Sequence, residues 1–405
     1  MRLERSLRSM GGILGNRKIW ALRFIVVLLI LITFRLAGAH SGFKILPYVQ
    51  SVDATSAMIL WNPADGITGE VRYGTSTAYG ASVEGRIEYV MTNERPQPGK
   101  TDIVHAPLVG LLPDTVYHYQ VVNPEFESRD RTFRTAPADA DATFTFLVYG
   151  DNRTDPQAHA RVISAAAIND PAFVLHTGDM VPFLDNGQNV WRKQFFEPAD
   201  LLLRKTWFPV TRGNHEEGSP LFAEYFVAPR GIQAKDYYSF DWGPVHVATI
   251  NTNKNYQPGS DQYQFLEHDL ASTSRPFKVF FGHHPSFSSG LHGSTVAMRV
   301  LQPLFEKYGV KLVLAGHDHD YERTLVNGIN YVVTVGGGAP LERQKNVGKN
   351  PTSLVFRKAN NFVQADVTPG ALTLRTWAVD NEGVTKMIDR AVIRPLATFE
   401  IGNQR

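Results

Sequence analysis

Five apolar, strand-like runs in this chain each end on a short polar motif. They are FLVYGD (Asp151), FVLHTGD (Asp179), FPVTRGNHE (Asn214, His215), VFFGHHP (His283) and LVLAGHDH (His317, His319). Buried strands that stop at Asp, Asn or His point to an open α/β sheet, where ligands gather beyond the carboxyl ends of the strands. Helical stretches fall between and after the runs: Gln157–Ile168, Val190–Lys205, Asp261–Ser272 and Thr295–Tyr308. In the last, Val296, Val300, Leu304 and Tyr308 recur at four-residue spacing and read as one face. Strand–helix alternation implies α/β layering. From Ile329 onward strands dominate again, in Ile329–Val335, Phe362–Val367 and Ala371–Val379.

Six residues of these motifs, Asp151, Asp179, Asn214, His283, His317 and His319, are thereby gathered on one sheet edge. Carboxylate, amide and imidazole together suit borderline or hard metal ions, and six donors are enough for two. The chain has no cysteine, which excludes disulfides, thiolate catalysis and zinc–sulfur sites. Glycines at 150, 178, 213, 282 and 316 precede these residues or their turns. They are expected to supply the torsional freedom a sharp turn needs.

The region ahead of the motifs has another character. Residues 41–136 read as all-β, with Ser56–Trp61 and Glu70–Tyr73 between Gly, Pro and Asp turns. In GLLPDTVYHYQV (Gly110–Val121), Tyr117 and Tyr119 share a strand face after a proline turn, like the tyrosine corner of Greek-key sandwiches. No catalytic constellation lies there, so the expected role is packing or docking. Residues 1–39 carry seven Arg/Lys and one acid, then the apolar run Phe24–Phe34 and Ala37-Gly38-Ala39. That order reads as a secretory signal cleaved after Ala39. The run is shorter than the ~20 residues of a spanning helix. The alternative is an uncleaved anchor. The protein is therefore expected to be exported, touching a membrane only through such an anchor. Without residues 1–39 the formal charge of +2 becomes −4, which gives no sign of nucleic-acid binding.

In order, the motifs Asp … Gly-Asp … Gly-Asn-His … Gly-His-x-Pro … Gly-His-x-His resemble those of the calcineurin-like metallophosphoesterase superfamily. The string GHDHDYERT (Gly316–Thr324) is especially similar to the purple acid phosphatase branch, whose longer members carry a fibronectin type III-like domain in front. The resemblance implies an α/β (α+β) metallophosphoesterase sandwich of two mixed sheets flanked by helices, over residues 142–395. An all-β fibronectin type III-like sandwich would precede it over 41–136, with 396–405 as a tail. It implies a dinuclear-metal hydrolase that cleaves phosphate monoesters by in-line attack of a metal-bound hydroxide. Asp179 would bridge the metals. Asp151 and His319 would complete the first site, and Asn214, His283 and His317 the second. His215 would assist the leaving group with His292, nine residues after His283, and both would contact the phosphate. Glu216 would hydrogen-bond His215 or lie solvated. His284 is expected to pack rather than ligate.

Two positions depart from the family. The tyrosine expected three residues after the bridging Asp is Pro182, with Phe183 beside it, and the histidine expected two residues after the first Asp is Arg153. Water, Asn152 or another group would have to complete the first site. Arg153 either clamps a phosphate or forms a structural ion pair. The family's purple colour comes from a ferric tyrosinate, so this chain is expected to be colourless and to favour divalent Fe, Mn or Zn over ferric iron. Tyr149 is the first suspect should colour appear. Gly336-Gly337-Gly338 lacks the Lys-Ser/Thr of a phosphate loop and reads as a tight turn bordering the site. The sequon Asn152-Arg153-Thr154 lies inside a metal motif, where glycosylation is not expected. Alternative readings are a phosphodiesterase or nucleotide pyrophosphatase on the same metals, a non-catalytic metal- or ligand-binding exported protein, and a carbohydrate- or cell-surface-binding protein led by the front domain.

Overall fold

A computed structural model describes residues 42–87, 91–92, 95–96, 101–182, 187–229 and 236–395. The signal or anchor reading of 1–39, the tail 396–405 and Phe183 lie outside the described residues. No helix among those described is long and apolar enough to cross a membrane.

Two sheets form the larger unit. One has five strands, in the order Val174–His176, Phe144–Tyr149, Asn360–Thr368, Ala371–Val379, Thr385–Ile393. Its first pair is parallel and the others are antiparallel. The second has seven strands, in the order Tyr238–Trp242, Val245–Thr249, Phe277–Phe281, Val310–Ala315, Ile329–Thr334, Tyr321–Val326, Ser353–Arg357. Its four successive strands from Val245–Thr249 to Ile329–Thr334 run parallel. Parallel strands are covered on both faces, so they read as continuous apolar runs. Alternation sorts their side chains. Phe146, Val148, Val247, Val279, Phe281 and Leu314 enter the core between the sheets. Leu147 and Tyr149 face helices Pro156–Ala166 and Glu197–Leu203 on one side. Ala248, Phe280 and Val313 face helices Asp261–Ser272 and Gln302–Tyr308 on the other.

Asp261–Ser272 begins and ends where the sequence predicts. The stretch Gly187–Leu203 is broken by a π-helical turn at Arg192–Phe196. The stretch from Thr295 differs from expectation. Val296–Leu301 is a 3-10 helix before Gln302–Tyr308 turns α-helical. Three residues per turn rotate the face, so Met298, Leu301, Leu304 and Phe305 are buried while Val296 is exposed.

The front unit packs two four-stranded sheets. Tyr117 and Tyr119 are both buried on one face of Val116–Val122. The Tyr117 hydroxyl accepts the Leu112 N–H at 2.9 Å, the tyrosine-corner bond. Tyr119 and Tyr48 instead reach out of the unit, donating to the carbonyls of Arg204 at 2.6 Å and Tyr225 at 2.8 Å. The Thr101 N–H donates to Glu224 at 2.9 Å, and Arg131 pairs with Asp200 at 3.1 Å. The front unit is thus seated against the helices beside the loop that carries Asn214.

Candidate metal centre

Parallel strands deliver their ends to one edge. Asp151 follows Phe144–Tyr149, Asp179 follows Val174–His176, His283 follows Phe277–Phe281, and His317 and His319 follow Val310–Ala315. Asn214 lies beyond Val210, which bridges to His176 in parallel. The expected torsional role of the glycines is only partly found. The ligand candidates themselves take the left-handed conformation: φ is +51° at Asp151, +58° at Asp179 and +75° at His317. Each such residue costs about 1–3 kcal/mol and persists where its surroundings over-determine it. The glycines make room instead. A Cβ on Gly213 would lie 2.0 Å from Asp179 Oδ1, and one on Gly316 2.5 Å from Asp151 Oδ2.

The six predicted ligands come together. Donor atoms of Asp151, Asp179 and His283, all at most 1% exposed, lie within 4.8 Å of one another. His283 Nε2 is 3.4 Å from Asp179 Oδ1 and 2.9 Å from Asn214 Oδ1. The same Asn214 oxygen is 3.1 Å from His317 Nδ1, and His319 Nε2 is 3.8 Å from Asp151 Oδ1. The second nitrogens are committed: His283 Nδ1 donates to the Thr177 carbonyl and His319 Nδ1 to the Pro340 carbonyl, each at 2.8 Å. That fixes the tautomer and turns the Nε2 lone pairs inward, the outer-shell pattern of metal-binding histidines. Burial, then the neighbouring histidines, pushes His317 down to about 2. Burial, then Arg153, brings His319 down to about 4. Neutral imidazoles are the form that binds metal. Burial and then Asp179 raise the Asp151 carboxyl well above its usual range, since two buried carboxylates face each other. This donor set fits a pair of metal cations.

The residues around the ligands hold several surprises. Glu216 neither bonds His215 as expected nor lies in solvent. It is fully buried, and one oxygen accepts the N–H groups of Asp179 (2.8 Å) and Gly213 (3.0 Å). The other accepts those of Met180 (2.7 Å) and Val181 (3.2 Å). It therefore cross-ties the Asp179 and Asn214 turns. Burial and then Asp179 push it up to about 8, against the pull of those N–H groups. Asn152 turns away from the ligand candidates. Its Nδ2 donates to the carbonyls of Met180 and Gln194, and its Oδ1 meets His176 Nε2 at 2.8 Å.

Arg153 reaches into the cluster of ligand candidates, with Nε 3.3 Å from Asp179 Oδ2 and Nη2 donating to His319 Nε2 at 3.0 Å. His215 Nδ1 meets the carbonyl oxygen of Pro182, so the residue standing where a phenol is expected orients this imidazole through its backbone. His215 Nε2 lies 3.6 Å from Asp179 Oδ2, and burial lowers its pKa. The His292 ring is 4.5 Å from the His317 ring, which brings it to the edge of the cluster. His284 Nδ1 pairs with the Thr252 hydroxyl at 2.8 Å, a packing contact, though its ring is 4.6 Å from that of His317. The Tyr149 hydroxyl is taken by His159 Nε2 at 2.9 Å. The triple glycine borders the site as expected: Gly337 N–H donates to the Gly150 carbonyl and Ala339 N–H to that of Asp151. Missed in the sequence were the acids interleaved with the histidines, Asp318, Asp320 and Glu322. The signal for the first two was their place beside the histidines in GHDHD.

Residues 144–321 match the family described as Calcineurin-like phosphoesterase, and residues 45–135 match that described as Purple acid Phosphatase, N-terminal domain. Purple acid phosphatase 18 of Arabidopsis thaliana is 30% identical, over 72% of this chain and 70% of its own length. Probable purple acid phosphatase 20 of the same plant is 29% identical, over 77% of this chain and 78% of its own. The solved structure of purple acid phosphatase PPD1 from yellow lupin (Lupinus luteus) seeds superposes with a TM-score of 0.74 at 19% identity, covering 86% of this chain and 74% of that one.

Proposed function

This chain belongs to the purple acid phosphatase family and is a phosphoester hydrolase with a dinuclear metal centre; from that premise we propose that it cleaves phosphate monoesters. Asp151, Asp179 and His319 would hold the first metal, and Asp179, Asn214, His283 and His317 the second. The observation that carries this assignment is Asp179. One of its oxygens faces His283 while the other faces Arg153 and His215, so a single carboxylate serves both halves. When bound, the two metals supply Lewis-acid charge to the phosphate and make water a nucleophile near neutral pH.

The protein's own groups do the rest. The Arg153 guanidinium adds positive charge to a donor cluster already suited to cations. A dianionic monoester gains more from that charge than a monoanionic diester does, which supports the monoester reading. Its planar fork is free to take two phosphate oxygens once a metal takes over His319 and Asp179. His215, held through Nδ1 by the Pro182 carbonyl, presents Nε2 to the leaving oxygen and donates the proton there. His292, at the open rim, contacts the phosphate beside it. The orientation of His215 supports catalysis over a purely binding role. Divalent Fe, Mn or Zn suits the first site, because Pro182 offers no phenolate. The leader-like amino terminus supports export, which sequencing of the mature amino terminus would check.

The test compares kcat/KM for 4-nitrophenyl phosphate and bis(4-nitrophenyl) phosphate in wild type and Arg153→Ala. The expected result is a monoester preference that shrinks in the variant. A diester preference in the wild type overturns the reading.

A further inference from the structure

Behind the histidine loop lies a second polar cluster that the hydrolytic site does not use. His317 and His319 join the ligand candidates, whereas Asp318 turns to Ser288, His292 and Gly293, and Asp320 lies against Gly290. Asp318 and Asp320 are fully buried, as is Glu322 two residues further on. Glu342 joins them from the following loop, with its N–H donating to the His319 carbonyl. A Cβ on Gly290 would lie 2.6 Å from both Asp318 Cγ and Asp320 Oδ2, so the two carboxyl groups converge on one spot.

Two of these acids are well served. Asp318 accepts the N–H groups of His292 (2.6 Å) and Gly293 (3.0 Å) and the Ser288 hydroxyl. Glu322 accepts from Ser289 N–H, the Ser289 hydroxyl and Asn350. Asp320 is not. Neither of its oxygens has a partner, nor does Glu342 Oε2. The charged groups that bear on Asp320 are Asp318, Glu322 and Glu342, all of them acids. A buried carboxylate without donor or counter-ion costs several kcal/mol if ionised, and a bound cation is a standard way to offset that cost.

We infer that a hard divalent cation of the calcium or magnesium class binds between Asp318, Asp320 and Glu342, apart from the dinuclear centre. Carboxylate oxygens are the ligands such ions take. Donor atoms of Asp318, Glu342 and His292 already lie within 4.8 Å of one another. The ion would staple three loops: the one from Ser288 to Gly293 that carries His292, the one that carries His317 and His319, and the one from Pro340 to Glu342 that orients His319. Its effect on catalysis would be indirect, through the position of His292.

The experiment uses full-length protein stripped by chelator, with calcium as the probe, in wild type, Asp179→Asn and Asp320→Asn. Calcium at ~100-fold excess over Kd should raise the melting temperature of the first two by ~3 °C. It should leave Asp320→Asn unmoved. In chelator alone Asp320→Asn should melt no lower than wild type, because the carboxyl it replaces makes no hydrogen bond to lose. A calcium response kept in Asp320→Asn overturns the inference, and so does no response in wild type, which would mean that Asp320 holds a proton. A response lost only in Asp179→Asn also overturns it, placing the ion in the dinuclear centre. Should Asp320→Asn fail to fold, Glu342→Gln removes a ligand at a partly exposed position. It should weaken calcium binding at least ~10-fold by calorimetry, and wild-type affinity there refutes the site.

Discussion

Replacing Glu216 with Gln should loosen both metal-bearing turns without touching a metal ligand. Each oxygen of Glu216 now accepts two backbone N–H groups, at 2.7–3.2 Å. Gln has one acceptor oxygen. It keeps one pair and turns an NH2 towards the other, leaving two buried donors facing a donor. At about 1–3 kcal/mol for each unsatisfied group, the loss is about 2–6 kcal/mol. Unfolding entropy of about 2.1 cal/mol/K per residue over 405 residues converts that into a melting-point drop of about 2–7 °C. The comparison belongs at pH 9, above the value of about 8 to which burial and Asp179 raise the wild-type carboxyl, so that the reference group is ionised. Metal affinity should fall as well, because the Asp179 and Gly213 N–H groups share one oxygen and fix the spacing of two ligand turns. kcat per bound metal pair should change little. Calorimetric melts in chelator and a metal titration read the two effects separately. An unchanged melting point with wild-type metal affinity would refute the cross-tie.

Three other substitutions probe distinct parts of the molecule. His215→Ala should lower kcat by about 10²–10⁴-fold with metal content intact, and the loss should be smaller for 4-nitrophenyl than for alkyl phosphate; equal losses would exclude a proton donated to the leaving group. Iron-reconstituted wild type should show no intense ferric–tyrosinate band, and Pro182→Tyr should gain one; a purple wild type would mean that a tyrosine other than Tyr149 reaches the metal, since the Tyr149 hydroxyl is held by His159. Burial pulls His246 down, but its hydrogen bonds to Asp241 and Asp269 outweigh it and push it from 6.5 up to about 9. That rise corresponds to at most about 3 kcal/mol, fully present below pH 6.5 and lost as pH rises through about 9. Thermal melts across this window should show a decline that His246→Gln flattens; parallel curves would refute it.

The gathering of the six candidate ligands was legible because each stands at the end of an apolar run, and chain order alone brings parallel strand ends together. Orientation was not legible. Nothing local tells that Glu216 turns back onto four N–H groups, or that Asn152 turns away to His176, because both depend on a neighbouring turn distant in sequence. The 3-10 entry at Val296 was hidden because a four-residue apolar spacing persists there by chance while Val296 itself is solvent-facing. Strand Thr385–Ile393 gave no clear alternation because it is the outer strand of its sheet and mostly half-exposed. Asp318 and Asp320 went unremarked, because nothing local tells that a carboxylate beside a histidine turns into the interior instead of joining it.

The three left-handed ligand positions bear on how such an enzyme can decay. Aspartate, asparagine and histidine are enriched several-fold among non-glycine residues that adopt positive φ. At Asp151, Asp179 and His317, metal chemistry and backbone preference therefore ask for the same small alphabet. A lineage released from catalysis would not drift freely there. Alanine or a β-branched residue would lose the ligand and inherit the strain as well, whereas asparagine or glycine would lose the metal and keep the turn. Inactive descendants of this architecture should carry Asn or Gly at those three positions far more often than neutral drift would place them. Asn214, outside the left-handed set, should scatter across many residue types.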